Sequence, residues 1–172
     1  MRSVIRSVLA VIAGFVVASA VMMCVEQANA HVFYPGFAER AAATDKEIIS
    51  EAEASGVAPD SREVLVCRRE AVREILASAP VGALLVVAFG WVLGSVPGGF
   101  VAAWIGGRAP VVHGLVLGGL LTLAGIANNL MLPPPVWFWI ATMIVFVPAA
   151  YVGARLAPTK TVQPTSAAGT AA

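Results

Sequence analysis

The chain has 172 residues, of which 59% are hydrophobic and 12% are charged. Soluble domains carry about one quarter charged residues, so this balance and a mean hydropathy of +0.84 argue against a water-soluble domain and for the lipid bilayer. The formal net charge is +1, and because the chain has no basic stripe, nucleic acid is not predicted as a partner.

Long uncharged stretches predict an all-α membrane protein with four transmembrane helices. The residues from Val8 to Val25 contain no charge, and neither do those from Ile75 to Gly107, where Pro80 can open a helix at its first turn. The stretch between Arg108 and Arg155 is long enough for two helices, which residues 133–135 divide because consecutive prolines interrupt a helix. The predicted spans are residues 5–26, 80–105, 111–132 and 136–156.

The stretch between the first and second spans differs from the rest of the chain. Residues 26–78 hold all ten acidic residues and six of the eleven basic ones, so we expect a solvated helical insert over residues 37–79. Thr44 and Glu47 have the spacing of a capping box, which predicts a short helix from about Asp45 to Ser55. A second, amphipathic helix is expected from Ser61 to about Ala77.

This amphipathic helix has two interpretations. It covers the outer end of the bundle with its charges facing water, or it docks on a partner or on the membrane surface. Residues 1–157 then form the bundle with its insert. Residues 158–172 are small and polar with two prolines, which predicts a disordered cytoplasmic tail.

The distribution of charge predicts an orientation. One side carries basic residues without an acidic one: Arg2, Arg6, Arg108, Arg155 and Lys160. The stretch from residue 26 to residue 78, which contains the insert, has a net charge of −4, from six basic and ten acidic residues. The positive-inside rule therefore puts both termini in the cytoplasm and makes the insert extracytoplasmic.

The N-terminal stretch has an alternative interpretation as a cleaved secretory signal. Arg2 and Arg6, the apolar run and the small residues around Asn29 fit such a signal, and cleavage would leave three spans. The apolar run is longer than the roughly 7 to 15 residues of a signal core, so we expect it to be retained as a span.

Small residues repeat every four positions along the second span. They are Gly90, Gly94, Gly98, Ala102 and Gly106. In lipid, such strips let helix backbones approach closely, and Ala10, Gly14 and Ala18 repeat the pattern in the first span. The strip predicts packing within one bundle, and the alternatives are a seam between copies of the chain or a groove for a ligand.

Polar side chains cluster where the first and third spans end. They are Glu26, Gln27, Asn29 and His31 after the first span, and Asn128 and Asn129 before the prolines. Glu26, His31, Asn128 and Asn129 form a candidate site at the outer face, with Glu26 as a proton acceptor or cation ligand and His31 as a titrating partner. The alternative is that these groups merely meet lipid headgroups and cap helix ends.

The two cysteines allow one further prediction. Cys24 and Cys67 both fall on the predicted outer side, where a disulfide between the insert and the first helix can persist. The alternative is that each is an ordinary small apolar residue.

Several segments resemble a known family. They are Glu26, His31, Tyr34 and Pro35 after the first span, the block AGIANNLMLPPPVWFW from Ala124 to Trp139, and the ending VPAAYVGARLA from Val147 to Ala157. They resemble a family of small, uncharacterised four-helix proteins of the bacterial inner membrane. The resemblance implies that location and a four-helix bundle, and it implies no activity or ligand.

Two functions remain open from the sequence. The first is a structural or interaction protein, in which the bundle anchors an acidic outer cap that touches another membrane or envelope component. Its partners would be further copies of the chain or another membrane protein. The second is a small oligomeric transporter or channel with an outer polar vestibule at Glu26. An enzyme is not predicted, since no nucleophile with an adjacent base, metal-ligand cluster or phosphate-binding loop is visible, and no cofactor or metal is predicted either.

Overall fold

The computed structural model describes residues 2–107 and 109–158, except for the side chain of Arg2. These residues form six α-helices and no strand. The helices are α1 (Arg2–Val32), α2 (Phe37–Ala54), α3 (Arg62–Ala77), α4 (Val81–Gly106), α5 (Pro110–Met131) and α6 (Val136–Leu156). Arg108, Lys160 and the predicted disordered tail beyond Pro158 lie outside the described residues.

Four of these helices, α1, α4, α5 and α6, are long and apolar enough to cross a membrane. They correspond to the four spans predicted from the uncharged stretches. The main difference is at the end of α1, which has 31 residues and continues past Glu26 to Val32. At about 1.5 Å per residue α1 is about 46 Å long, so it exceeds a hydrocarbon layer of about 30 Å.

Helix α4 lies at the centre of the bundle, where it packs against α1, α5 and α6. The buried core is built from Trp91 of α4, Leu117 and Leu121 of α5, and Phe146 of α6. Outward-facing side chains on the same helices are largely aliphatic, and many of them are more than half exposed. In water such a surface would be a large apolar patch, whereas in a bilayer it meets lipid tails.

The small residues of α4 contact α1 within the bundle. A Cβ added at Gly94 would lie 2.6 Å from the Ala18 carbonyl oxygen, and one added at Gly98 would lie 2.7 Å from the Gly14 carbonyl oxygen. Gly90 faces Val25 of α1 in the same way. Farther along the strip, Ala102 contacts Gly14, whereas Gly106 faces the ring of His113 in α5.

A second close crossing joins α4 to α6, and the four-residue strip does not predict it. The backbone of Ala150 would block a side chain at Gly99, and the backbone of Val96 would block one at Gly153. Helix α4 therefore packs through glycines against α1 on one face and against α6 on another. This arrangement places α1 and α6 on either side of α4.

Helices α2 and α3 form a hairpin that follows α1. Helix α2 begins at Phe37 after Gly36, whose positive φ of 82° suits glycine. The predicted helix is present and ends at Ala54, next to the predicted end, but its predicted start near Asp45 is wrong. Thr44 and Glu47 lie inside α2. An ion pair between Arg68 and Asp45 links the two helices, and the hydroxyl of Tyr34 donates to the Ile75 carbonyl at 3.2 Å, which ties α3 to the end of α1.

Candidate functional site

A cavity of about 300 Å³ lies at the end of the bundle that carries the hairpin. The end of α1, the start of α4, the end of α5 and the start of α6 all contribute to its wall, and Phe37 and Leu76 of the hairpin also line it. Its polar lining consists of Glu26, Gln27, Asn29, Tyr34, Asn128 and Asn129. Glu26 and Asn128 are exposed and Asn29 and Asn129 are buried, so the cavity runs from the surface into the bundle.

The continuation of α1 past Glu26 positions two of these residues. Glu26 and Asn29 are three residues apart, and that spacing puts their side chains on the same face of a helix. Asn29 is 8% exposed, and its Nδ2 donates to the carbonyl of Ala83 in α4 at 3.2 Å. Its carbonyl oxygen Oδ1 is buried without a hydrogen-bond partner among the described residues.

Asn129 supplies a second buried amide from α5. It is 1% exposed, and its Nδ2 donates to the Thr142 hydroxyl of α6 at 2.8 Å. The Thr142 hydroxyl in turn donates to the Phe138 carbonyl at 2.8 Å. The Oδ1 of Asn129 is left without a partner in the described structure, so two buried acceptors of the cavity lining lack a donor.

Aromatic rings form the inner part of the lining. The rings of Trp91 and Phe138 are 4.7 Å apart between centroids, and Trp91 lies 5.2 Å from Phe146. Such tilted pairs are favourable contacts that hold large side chains in place. The cavity therefore joins a polar end near Glu26 to an apolar end at Trp91 and Phe138.

The charge of the described cavity lining is negative. Glu26 is the only carboxylate among its described lining residues, and no lysine, arginine or histidine stands beside it there. A carboxylate close to hydrocarbon is costly unless a cation or a proton accompanies it. The arrangement can thus accept hydrogen bonds and attract positive charge.

The structure brings three of the four predicted site residues together. Glu26, Asn128 and Asn129 line the cavity, whereas His31 does not: it is exposed, and its Nδ1 lies 2.8 Å from the Gln27 carbonyl oxygen. Five residues along a helix correspond to a rotation of about 140° from Glu26, so a continuous α1 turns His31 away. His31 is therefore not a partner of Glu26 in this structure.

Two lining residues of this cavity are absent from the predicted site. Asn29 follows the first span with the other polar residues, and its spacing of three from Glu26 is the signal that identifies it. Trp91 lies within the second span without such a signal, yet it lines the cavity. Thr142 does not line the cavity but accepts from Asn129, and it carries no signal either, since threonine is ordinary in an apolar helix.

The cysteines and acidic residues do not form a further site. Cys24 and Cys67 are both exposed free thiols, so the predicted disulfide is not formed in this structure. Within residues 2–107 and 109–158, no group of three or more histidine, cysteine, aspartate or glutamate side chains could hold a metal ion.

Comparisons with known proteins give no match: no protein-family model fits the chain, and neither a curated protein nor a solved structure matches it. The resemblance to small bacterial inner-membrane proteins therefore stays a prediction.

Proposed function

We propose that this chain is a multi-pass protein of the bacterial inner membrane that binds a small solute at the outer end of its bundle. It serves as the binding element of a small oligomeric transporter or channel. Both termini lie in the cytoplasm, and the α2–α3 hairpin is extracytoplasmic.

The observation that carries this proposal is the cavity with its mixed lining. At about 300 Å³ it has the size of a small ligand site, and such sites combine an apolar wall with a few convergent polar groups. Helix-capping or headgroup contacts would account for the exposed Glu26 and Asn128. They do not account for two buried amides with unpaired oxygens at one cavity.

The orientation rests on charge. Arg6 and Arg155 lie at the end of the bundle opposite the hairpin, and the Nε of Arg6 donates to the Ile105 carbonyl near the C-terminus of α4 at 2.7 Å. The hairpin side carries the acidic residues. The positive-inside rule then puts the mouth of the cavity on the outer side.

The first prediction concerns access of water to the cavity. In a background with Cys24→Ala and Cys67→Ala, Asn128→Cys should react with a membrane-impermeant maleimide added to spheroplasts, because Asn128 is exposed at the cavity. The matched control is Leu123→Cys on the same helix. Leu123 is 63% exposed but does not line the cavity, so lipid should shield it from the reagent.

Two outcomes contradict the proposed function. Asn128→Cys that reacts only in inside-out vesicles would put the cavity on the cytoplasmic side. Asn128→Cys that reacts from neither side, while the protein is folded, would show that the cavity is closed to water and serves packing alone.

A second candidate function is a structural or interaction protein. The observation that favours it is the apolar surface of α3, where Leu65 and Val66 are each more than half exposed on a helix rich in charge. Crosslinking in native membranes followed by mass spectrometry separates the two. A recurrent heterologous partner bound through α3 favours this candidate, and homo-oligomers with solute flux in liposomes favour the transporter or channel.

A further inference from the structure

We propose that the ligand of the cavity is a small hydrophobic primary ammonium ion. The Glu26 carboxylate is its counter-ion, the amide oxygens of Asn29 and Asn129 accept its N–H groups, and its hydrocarbon part lies against Trp91 and Phe138. This inference rests on the proposed function and names the substrate class of the same site.

The sign of the ligand charge follows from the lining. Glu26 is the only ionisable group of the cavity apart from the phenol of Tyr34, and no basic side chain neutralises it within the described residues. An anion would be repelled, and a neutral solute would gain nothing from the charge of the carboxylate. A cation supplies the missing charge.

The hydrogen-bond acceptors of the cavity lining favour a cation that carries N–H donors over other cations. The Oδ1 atoms of Asn29 and Asn129 are buried acceptors without a donor. A buried acceptor without a donor is unfavourable, so a ligand whose N–H groups reach these oxygens, once the two amides turn toward the cavity, restores the missing hydrogen bonds. A primary ammonium carries three N–H donors, which matches these two oxygens and the carboxylate in number.

The apolar end distinguishes an organic ammonium from a bare metal cation. A metal ion would be held by a closed set of oxygen ligands at short range, and no cluster of acidic side chains provides one in the described part of the chain. The lining instead includes Leu84, Val87, Trp91 and Phe138. Aromatic faces attract cations and also accommodate hydrocarbon, so they fit the body of an organic amine.

The test uses the full-length protein in nanodiscs and isothermal titration with 2-phenylethylammonium chloride. Its neutral counterpart is 2-phenylethanol, which has a similar shape, and its N,N,N-trimethyl derivative keeps the charge without N–H donors. We expect the primary ammonium to bind at least about tenfold more tightly than either analogue, since each analogue loses one set of polar contacts.

One variant, with a matched control, tests whether the ligand binds at Glu26. Glu26→Gln keeps the shape of the side chain and removes its charge, so it should lower the affinity for 2-phenylethylammonium at least about tenfold while leaving that for 2-phenylethanol unchanged. The matched control is Glu51→Gln, the same substitution at an exposed carboxylate of α2, which should leave both affinities unchanged.

Each remaining outcome overturns the inference. Equal affinities for the primary ammonium and its trimethyl derivative would show that the amide oxygens accept nothing from the ligand. Equal affinities of the native protein and Glu26→Gln for 2-phenylethylammonium would show that Glu26 is not its counter-ion. No binding of the ammonium to a protein whose Asn128→Cys variant reacts from outside would overturn the substrate class and leave the proposed vestibule intact.

Discussion

Asn129 and Thr142 are enclosed by the bundle, with 1% and 0% of their surfaces exposed. A polar group enclosed in an apolar bundle has to find partners among the helices or in a cavity, because lipid supplies none. The hydroxyl of Thr142 meets this requirement twice, since it accepts from Asn129 and donates to the Phe138 carbonyl. This pair fixes one wall of the cavity by joining α5 to α6.

The next prediction follows from this pair. Thr142→Val keeps the shape of the side chain and removes the acceptor of Asn129 Nδ2, so the free energy of unfolding in detergent should fall by about 1 kcal/mol. The control is Thr122→Val, because the Thr122 hydroxyl donates only to the Gly118 carbonyl of its own helix. Equal losses in the two variants would show that the bond between helices contributes nothing.

The lining residues of the cavity, and Thr142 as the partner of Asn129, differ in how clearly the sequence marks them. Glu26, Asn128 and Asn129 stand out because each is a polar residue beside a long apolar stretch. Thr142 does not stand out, because a threonine hydroxyl can always bond to the carbonyl four residues earlier, as it does here. The sequence places His31 in the site because it predicts that the first span ends at Glu26, whereas α1 continues to Val32.

At the level of elements, α4 determines how the bundle is assembled. Its glycines meet the α1 backbone on one face and the α6 backbone on another. Without side chains between them, the helices gain dispersion contacts along their length, which replace the hydrophobic drive available in water. These contacts hold the C-terminal end of α1 and the N-terminal end of α4 beside the cavity.

Gly94→Leu tests the contact between α1 and α4. The new side chain would meet the Ala18 carbonyl and the Met22 side chain, so we expect a loss of about 2 to 3 kcal/mol in the free energy of unfolding, measured in detergent. Gly119→Leu is the matched control, because a Cβ at Gly119 meets nothing within 4 Å. A Gly94→Leu protein as stable as the native one, with altered oligomer size, would instead place the strip between copies of the chain.

The helices themselves differ in how far the sequence predicts them. The four apolar helices follow from long stretches without charge, since these can satisfy their backbone in lipid only as helices. The start of α2 was missed because Gly36 precedes it without a side-chain cap, and the capping-box spacing at Thr44 falls inside the helix. The sequence does not predict the crossing of α4 and α6 at Gly99 and Gly153, because the four-residue strip marks only the face of α4 that packs against α1.

At the scale of the molecule, the bundle and the hairpin carry different kinds of side chain. The bundle presents aliphatic side chains outward and carries its buried amides at one end, while the hairpin holds nearly all the acidic residues. Tyr34 joins the two through its hydrogen bond to Ile75 and also lines the cavity. The hairpin is therefore placed to influence what reaches Glu26.

The proposed outer cavity requires a bundle that crosses the membrane with the hairpin outside and the C-terminal end of α6 inside. Two single-cysteine proteins measure this directly. Cys67, kept in a Cys24→Ala protein, is exposed on α3 and should react with an impermeant maleimide in intact spheroplasts. Pro158→Cys, made with Cys24→Ala and Cys67→Ala, should react only after the membrane is permeabilised. Reaction of both sites from one side of the membrane would contradict this topology and the outer cavity that rests on it.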